Sequence, residues 1–159
     1  MNNNYLNLIE EAYQGEVYGE AMYQTIADNM DNPDYAYKWR VLAQMEAETK
    51  VEMRDLVARW GGEIAESEAW RDRGRQDARR YAALSWLELM EIFTQELEAD
   101  IAEYTKLEED CPPEDAATLR RLTEHEILTK QFCDQELNGQ GDVSILPIIT
   151  FCKSPPGRA

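Results

Sequence analysis

The sequence predicts an all-α protein: an antiparallel four-helix bundle with a long crossover between its second and third helices and an internal twofold repeat. Three observations carry that expectation. Four long stretches place apolar residues at a 3.6-residue period. The helix breakers cluster between them, at Asn32-Pro33, Gly61-Gly62, Cys111-Pro112-Pro113 and Gly139–Gly141. No stretch alternates apolar and polar residues as a half-buried strand does.

The first helix is predicted over about 5–30, with Leu6, Ile9, Tyr13, Val17, Tyr23 and Ile26 on one face. The second covers about 34–60, with Trp39, Leu42, Met45, Met53 and Leu56 inward. Pro33 stands before it, where a fixed φ and a missing N–H suit a first turn, and Asp34 complements the helix dipole. The third covers about 86–109, with Leu89, Met90, Phe93, Leu97, Ile101 and Tyr104. The fourth covers about 114–137, with Leu119, Leu122, Phe132, Cys133 and Leu137, and Pro113 precedes it in the same way. Short turns after the first and third helices make each pair an antiparallel hairpin.

The link over 61–85 is too long for an ordinary turn and can run from one end of a bundle to the other. It holds five arginines, Arg71, Arg73, Arg75, Arg79 and Arg80, which are expected to pair with the acidic bundle surface or, alternatively, to form an anion-binding loop. The bundle is thus expected over 1–138. The tail, 139–159, is expected to be irregular, with the apolar patch of Ile145–Phe151 packed across the bundle or a subunit partner.

The two hairpins align without a gap at an offset of 80 residues. Over the 53 positions from Ile9 to Gly61, eleven are identical, including Glu16/Glu96, Pro33/Pro113, Glu46/Glu126, Thr49/Thr129 and Lys50/Lys130. That is about 21%, against roughly 7% for ordinary composition. Duplication of a helical hairpin accounts for it.

The repeat selects carboxylates that a core would not choose. Glu16 shares a face with Ile9, Tyr13 and Tyr23, and Glu46 lies between Leu42 and Met53. Glu96 follows Phe93, and Glu126 lies one turn after Leu122. Glu16 and Glu46 are each about 15 residues from the first turn, so at 1.5 Å rise per residue they stand at one height. Glu96 and Glu126 are related in the same way about Cys111. Four carboxylates are therefore expected to converge at mid-bundle, where burial forbids them all to remain ionised without cations, protons or basic side chains.

The balance of 32 acidic against 16 basic residues, a net charge of −16, argues against nucleic acid as a partner. No apolar run approaches the roughly 20 residues of a membrane span. Cys111, Cys133 and Cys152 are odd in number and irregularly spaced, which suits reduced thiols in a cytoplasmic protein.

The order Glu16, Glu46-x-x-Thr49, Glu96, Glu126-x-x-Thr129 resembles the ferritin-like superfamily, especially its carboxylate-bridged di-metal bundles. Those bundles supply one Glu from each of two helices and a Glu-x-x-His from each of the other two. The resemblance covers about residues 5–138. It implies two divalent metal ions, iron or manganese, held by Glu16, Glu46, Glu96 and Glu126, with Glu46 and Glu126 bridging. It also implies oxygen- or redox-active oxidoreductase chemistry, and a homo-oligomer, such as a dimer, as the working form. Both histidine positions of the pattern are threonine here, Thr49 and Thr129. His125, the one histidine, is a residue out of register and reads either as a ligand or as a helix-flank residue beside Glu124. Glu20 and Asp100, one turn below Glu16 and Glu96, would enlarge the cluster or sit at its edge.

Lys50 and Lys130 open the alternative. If both lean inward, they neutralise two carboxylates without metal, and Thr49 and Thr129 complete a hydrogen-bonded cluster. The protein is then a degenerate, metal-free bundle acting as a binding or partner-docking module. Metal storage in a cage ranks below both, because a cage normally needs a further C-terminal helix.

Overall fold

The computed structural model describes residues 3–158, and these are all-helical with no strand. Six helices follow one another: α1 (Asn3–Asp28), α2 (Pro33–Arg59), α3 (Glu68–Tyr81), α4 (Trp86–Glu109), α5 (Ala116–Leu137) and α6 (Leu146–Phe151). None is long and apolar enough to cross a membrane. α1 with α2, and α4 with α5, form the two hairpins, and α2 lies against α5.

The boundaries follow local chemistry. Asn32 caps α2, its side chain accepting from the N–H groups of Asp34 and Tyr35 at 2.9 and 3.2 Å, with Pro33 in the first turn. Ser85 and Glu88 form a reciprocal capping box on α4. α5 starts two residues later than the sequence suggests. Asp115 stands at its N-cap but does not cap it, because the carboxylate is spent on tertiary contacts. It accepts from Tyr5 Oη and Trp60 Nε1, both at 2.8 Å, and from Arg59 at 3.0 Å.

Two segments depart from expectation. The crossover contains the fourteen-residue helix α3, which packs along α1. Its buried residues are Gly74, Asp77 and Ala78, small or polar, so no apolar period announces it. A Cβ on Gly74 would lie 2.4 Å from the Tyr18 carbonyl oxygen, which measures how closely the two backbones approach. Its arginines pair mainly within their own segment: Arg71 with Glu66 and Glu68, Arg75 with Glu68 and Asp72, Arg80 with Asp77. The tail holds the short helix α6, which packs on α2 and α5 of the same chain with Ile145 and Ile148 buried.

The buried apolar residues fall into two groups. One surrounds Tyr23, Trp39, Leu42, Met90, Phe93 and Phe132; the other surrounds Ile9, Tyr13, Met53, Leu56, Leu119 and Leu122. Between them, on α1, α2 and α5, lies a buried polar layer of Glu16, Glu46, Thr49, His125, Glu126 and Thr129. α4 contributes no charge to that layer. It stands off from α1, and a cleft of about 580 Å³ separates them, with α3 forming its outer wall. Tyr23 and Phe93 bridge the gap, ring centroids 6.0 Å apart.

Candidate metal centre

The polar layer is built around His125. Leu122, His125, Glu126 and Thr129 occupy positions i, i+3, i+4 and i+7 of α5, a single inward stripe. The imidazole is fully buried. Its Nδ1 lies 2.5 Å from the Leu122 carbonyl oxygen, a contact that requires Nδ1–H as donor and so leaves Nε2 as the free nitrogen of the neutral ring. Nε2 has no hydrogen-bond partner among the described residues. It faces Oε1 of Glu46 at 3.2 Å, Oε2 of Glu16 at 3.5 Å and Oε1 of Glu126 at 3.5 Å. A lone pair aimed at three carboxylates is stable only with a cation or proton between them.

The glutamates are themselves buried, at 1%, 3% and 8% exposure for Glu16, Glu46 and Glu126. Burial pushes the Glu16 carboxyl up to about 8, with the His125 charge opposing and the Glu46 charge assisting. Burial likewise pushes Glu46 up to about 8, against a hydrogen bond with Glu16 and with help from Glu20 and Asp100. Burial raises Glu126 well above the usual range, His125 opposing. For His125, burial favours the neutral ring, but the Glu16 and Glu126 charges outweigh it and raise the imidazole. The cluster is short of positive charge. Atoms of Glu16, His125 and Glu126 lie within 4.8 Å of one another, close enough to share one ion.

The structure sorts the sequence candidates. Glu16, Glu46 and Glu126 come together, and Thr49 joins them by donating its hydroxyl to Glu16. Thr129 is buried but turns back to the His125 carbonyl at 2.9 Å. Glu96 does not join the level of the other three. It is exposed at the cleft, 3.3 Å from the Tyr81 hydroxyl, because α4 stands off from α1 and its inward position opens onto the gap. Asp100 is exposed in the same cleft, where burial by the walls and then the Glu103 and Glu96 charges raise its carboxyl. The lysines do not enter the cluster. Lys50 pairs with Glu20 and, at 2.9 Å, with Glu66 of the crossover; Lys130 pairs with Asp134 at 2.9 Å along its own helix. Lysine neutralisation of the carboxylates is therefore corrected: the group that faces them is His125, and its placement inside the layer rules out the helix-flank reading.

Gly15 and Gly19 lie one turn apart on α1, beside the polar layer. A Cβ on Gly19 would fall 2.5 Å from Glu46 Oε2, and one on Gly15 would fall 3.0 Å from the Tyr104 hydroxyl. The glycines make room for side chains that reach over α1 into the polar layer.

Carboxylate oxygens of Glu16 and Glu126 and one imidazole nitrogen, with Glu46 beside them, form a mixed hard and borderline donor set suited to iron, manganese or zinc. A ligating histidine typically donates its other N–H to a backbone carbonyl, as Nδ1 does here. Glu46 and Glu126 also border the cleft, so the cluster is reachable from solvent. No protein-family model, curated protein or solved structure matches this chain.

Proposed function

We propose that this protein is a ferritin-like metal-carboxylate protein whose ion is held by Glu16, Glu46, Glu126 and His125. The observation that carries the reading is the unpartnered, fully buried Nε2 of His125, at 3.2 to 3.5 Å from three buried carboxylates. The ligand set is lopsided in comparison with the duplicated pattern: the first half supplies two carboxylates, Glu16 and Glu46, and the second half supplies Glu126 and His125 without Glu96. It favours one tightly held divalent ion, iron or manganese. A second ion of the expected pair would have to draw on carboxylates at the cleft, such as Asp100. An ion so placed, open to a cleft, supports redox chemistry on a molecule entering from solvent. The four-helix, twofold-repeated architecture belongs to the same proposal: the two hairpins and the ungapped 80-residue offset support it.

A metal-free cluster is the second reading, favoured by the contact distance of His125 to its three carboxylates. A protonated imidazole is an ion-pair partner for them, and shared protons neutralise the remainder. The bundle would then serve as a binding module.

Elemental analysis of purified protein, with Glu126→Gln beside it, separates the two. The metal reading expects about one equivalent of iron or manganese retained after gel filtration, and its loss in the variant. Wild-type protein that retains no metal, and takes up none on equilibrium dialysis against Mn²⁺, overturns it in favour of the second reading.

A further inference from the structure

The cleft between α1 and α4 has a chemistry that a metal site alone does not require. Glu96, Asp100 and Glu103 lie at i, i+4 and i+7 on α4 and all border it. None of the three has a basic side chain within ion-pair distance among the described residues, although ion pairs are frequent elsewhere on the surface. The cations in the cleft wall are already engaged. Arg80 pairs with Asp77, and the Arg73 guanidinium lies over the rings of Tyr18 and Trp70 at 5.7 and 5.8 Å.

Glu46 and Glu126 of the polar layer border the same cleft, and aromatic and apolar side chains, Met22, Tyr23, Tyr81, Phe93 and Leu97, line it beside the carboxylates. Tyr23 borders the cleft, is only 4% exposed, and makes no hydrogen bond through its hydroxyl to another described residue. A hydrated metal ion gains nothing from methionine, leucine and phenylalanine walls. An unpaired carboxylate stripe opposite rings suits a charged ammonium joined to an alkyl body, because rings attract cations and apolar walls cover methylenes. The volume, about 580 Å³, is that of a small-molecule site.

We infer that this cleft binds a small organic cation, an alkylammonium or diamine, with its ammonium on the α4 carboxylates and its chain against the aromatic wall. This goes beyond the metal reading and holds with or without an ion in the polar layer.

The test is calorimetric titration of the full chain with 1,4-diaminobutane at low ionic strength, before and after chelator treatment. Neutral 1,4-butanediol and anionic succinate are the comparison probes. The expected result is saturable diamine binding in both states, weakened by salt, with neither comparison probe binding. Asp100→Asn and Glu103→Gln should each weaken it about fivefold, the factor for losing one partly solvated charge pair. Glu109→Gln, an exposed carboxylate of α4 away from the cleft, should leave it unchanged. Both cleft residues are exposed, so circular dichroism should show wild-type helix in each variant. The inference is overturned if no diamine binds, if butanediol or succinate binds as well, if both cleft variants bind like wild type, or if Glu109→Gln loses as much as they do.

Discussion

Gly19 and Glu46 are complementary: the hydrogen that stands in place of a side chain on Gly19 leaves the space the Glu46 carboxylate fills. A Cβ there would sit 2.5 Å from Oε2 and 2.8 Å from Cδ of Glu46. The polar layer therefore depends on an absence in α1 as much as on the charged groups of α2 and α5.

Gly19→Ala tests that dependence. In an ordinary helix the change would add about 1 kcal/mol of stability, since alanine is the better helix former. Here the methyl group must push the Glu46 carboxylate out of the layer. The expected outcome is a loss of Mn²⁺ affinity of at least about tenfold, equivalent to about 1.4 kcal/mol, with helix content unchanged by circular dichroism. A variant that binds Mn²⁺ like wild type would mean that Glu46 is not a ligand.

Lys38 and Lys130 should differ sharply in what they contribute. Lys38 pairs with Glu136 behind side chains that are 9% and 5% exposed, and it also donates to the Gly141 carbonyl at 2.8 Å. Glu136 is further held by Ser144 and by Trp86 Nε1 at 2.9 Å. Lys38→Met strands a buried carboxylate, which typically costs about 3–5 kcal/mol. Lys130 makes a partly exposed i, i+4 pair with Asp134, so Lys130→Met should cost less than about 0.5 kcal/mol. Urea unfolding of both variants gives the comparison directly. Equal costs would show that the Lys38 cluster tolerates loss of its cation.

The all-α class was legible because period, proline placement and capping residues agree along α1, α2, α4 and α5. The helix α3 was not, because its contact with α1 runs through Gly74 and Ala78, and close backbone approach leaves no apolar stripe to read. The level of Glu16, Glu46 and Glu126 followed from counting rise from the turns. Glu96 misled because the repeat preserves its phase on α4, while the distance of α4 from α1 is a tertiary fact that no spacing records. His125 was hidden by the opposite error. Its alignment with Met45 put it out of register, yet its i+3 position from Leu122 already placed it on the inward stripe. The Lys38–Glu136 pair spans α2 and α5, and nothing local marks either residue as buried.

The docking of the tail should respond to acid through Glu48. Its carboxylate accepts the N–H groups of Lys153 at 2.7 Å and Ser154 at 2.8 Å, fixing the chain beyond α6 against α2. Burial alone would raise this carboxyl, but those bonds, with Gln44 and Arg121, outweigh it and hold it below its ordinary value of 4.5. A group with a depressed folded value stabilises above its unfolded value and loses that contribution as pH falls through the folded one. The amide resonances of Lys153 and Ser154 should therefore keep their folded positions through the range in which an ordinary carboxylate protonates, and shift towards random-coil positions only at lower pH. Glu48→Gln should show the released positions already at neutral pH. Amide shifts of Lys153 and Ser154 in Glu48→Gln that match wild type at neutral pH would remove Glu48 as the anchor.

His125→Ala distinguishes an imidazole that holds a metal from one that only holds a proton. In the metal reading, wild-type protein with Mn²⁺ at 100 times its dissociation constant gains about 2.7 kcal/mol over chelated protein. At 2–4 °C per kcal/mol for a domain of this size, that is a midpoint shift of roughly 5–10 °C. The variant loses the nitrogen that faces all three carboxylates, so Mn²⁺ should move its midpoint by only a small part of that amount, and chelator should not matter. In the proton reading, neither protein responds to Mn²⁺ or chelator, and the variant is less stable than wild type under every condition because three buried carboxylates have lost their imidazolium partner. Thermal unfolding of both proteins, each with Mn²⁺ and with chelator, decides between them. A wild type and variant that gain equally from Mn²⁺ would place the ion elsewhere on the acidic surface and remove His125 from its coordination.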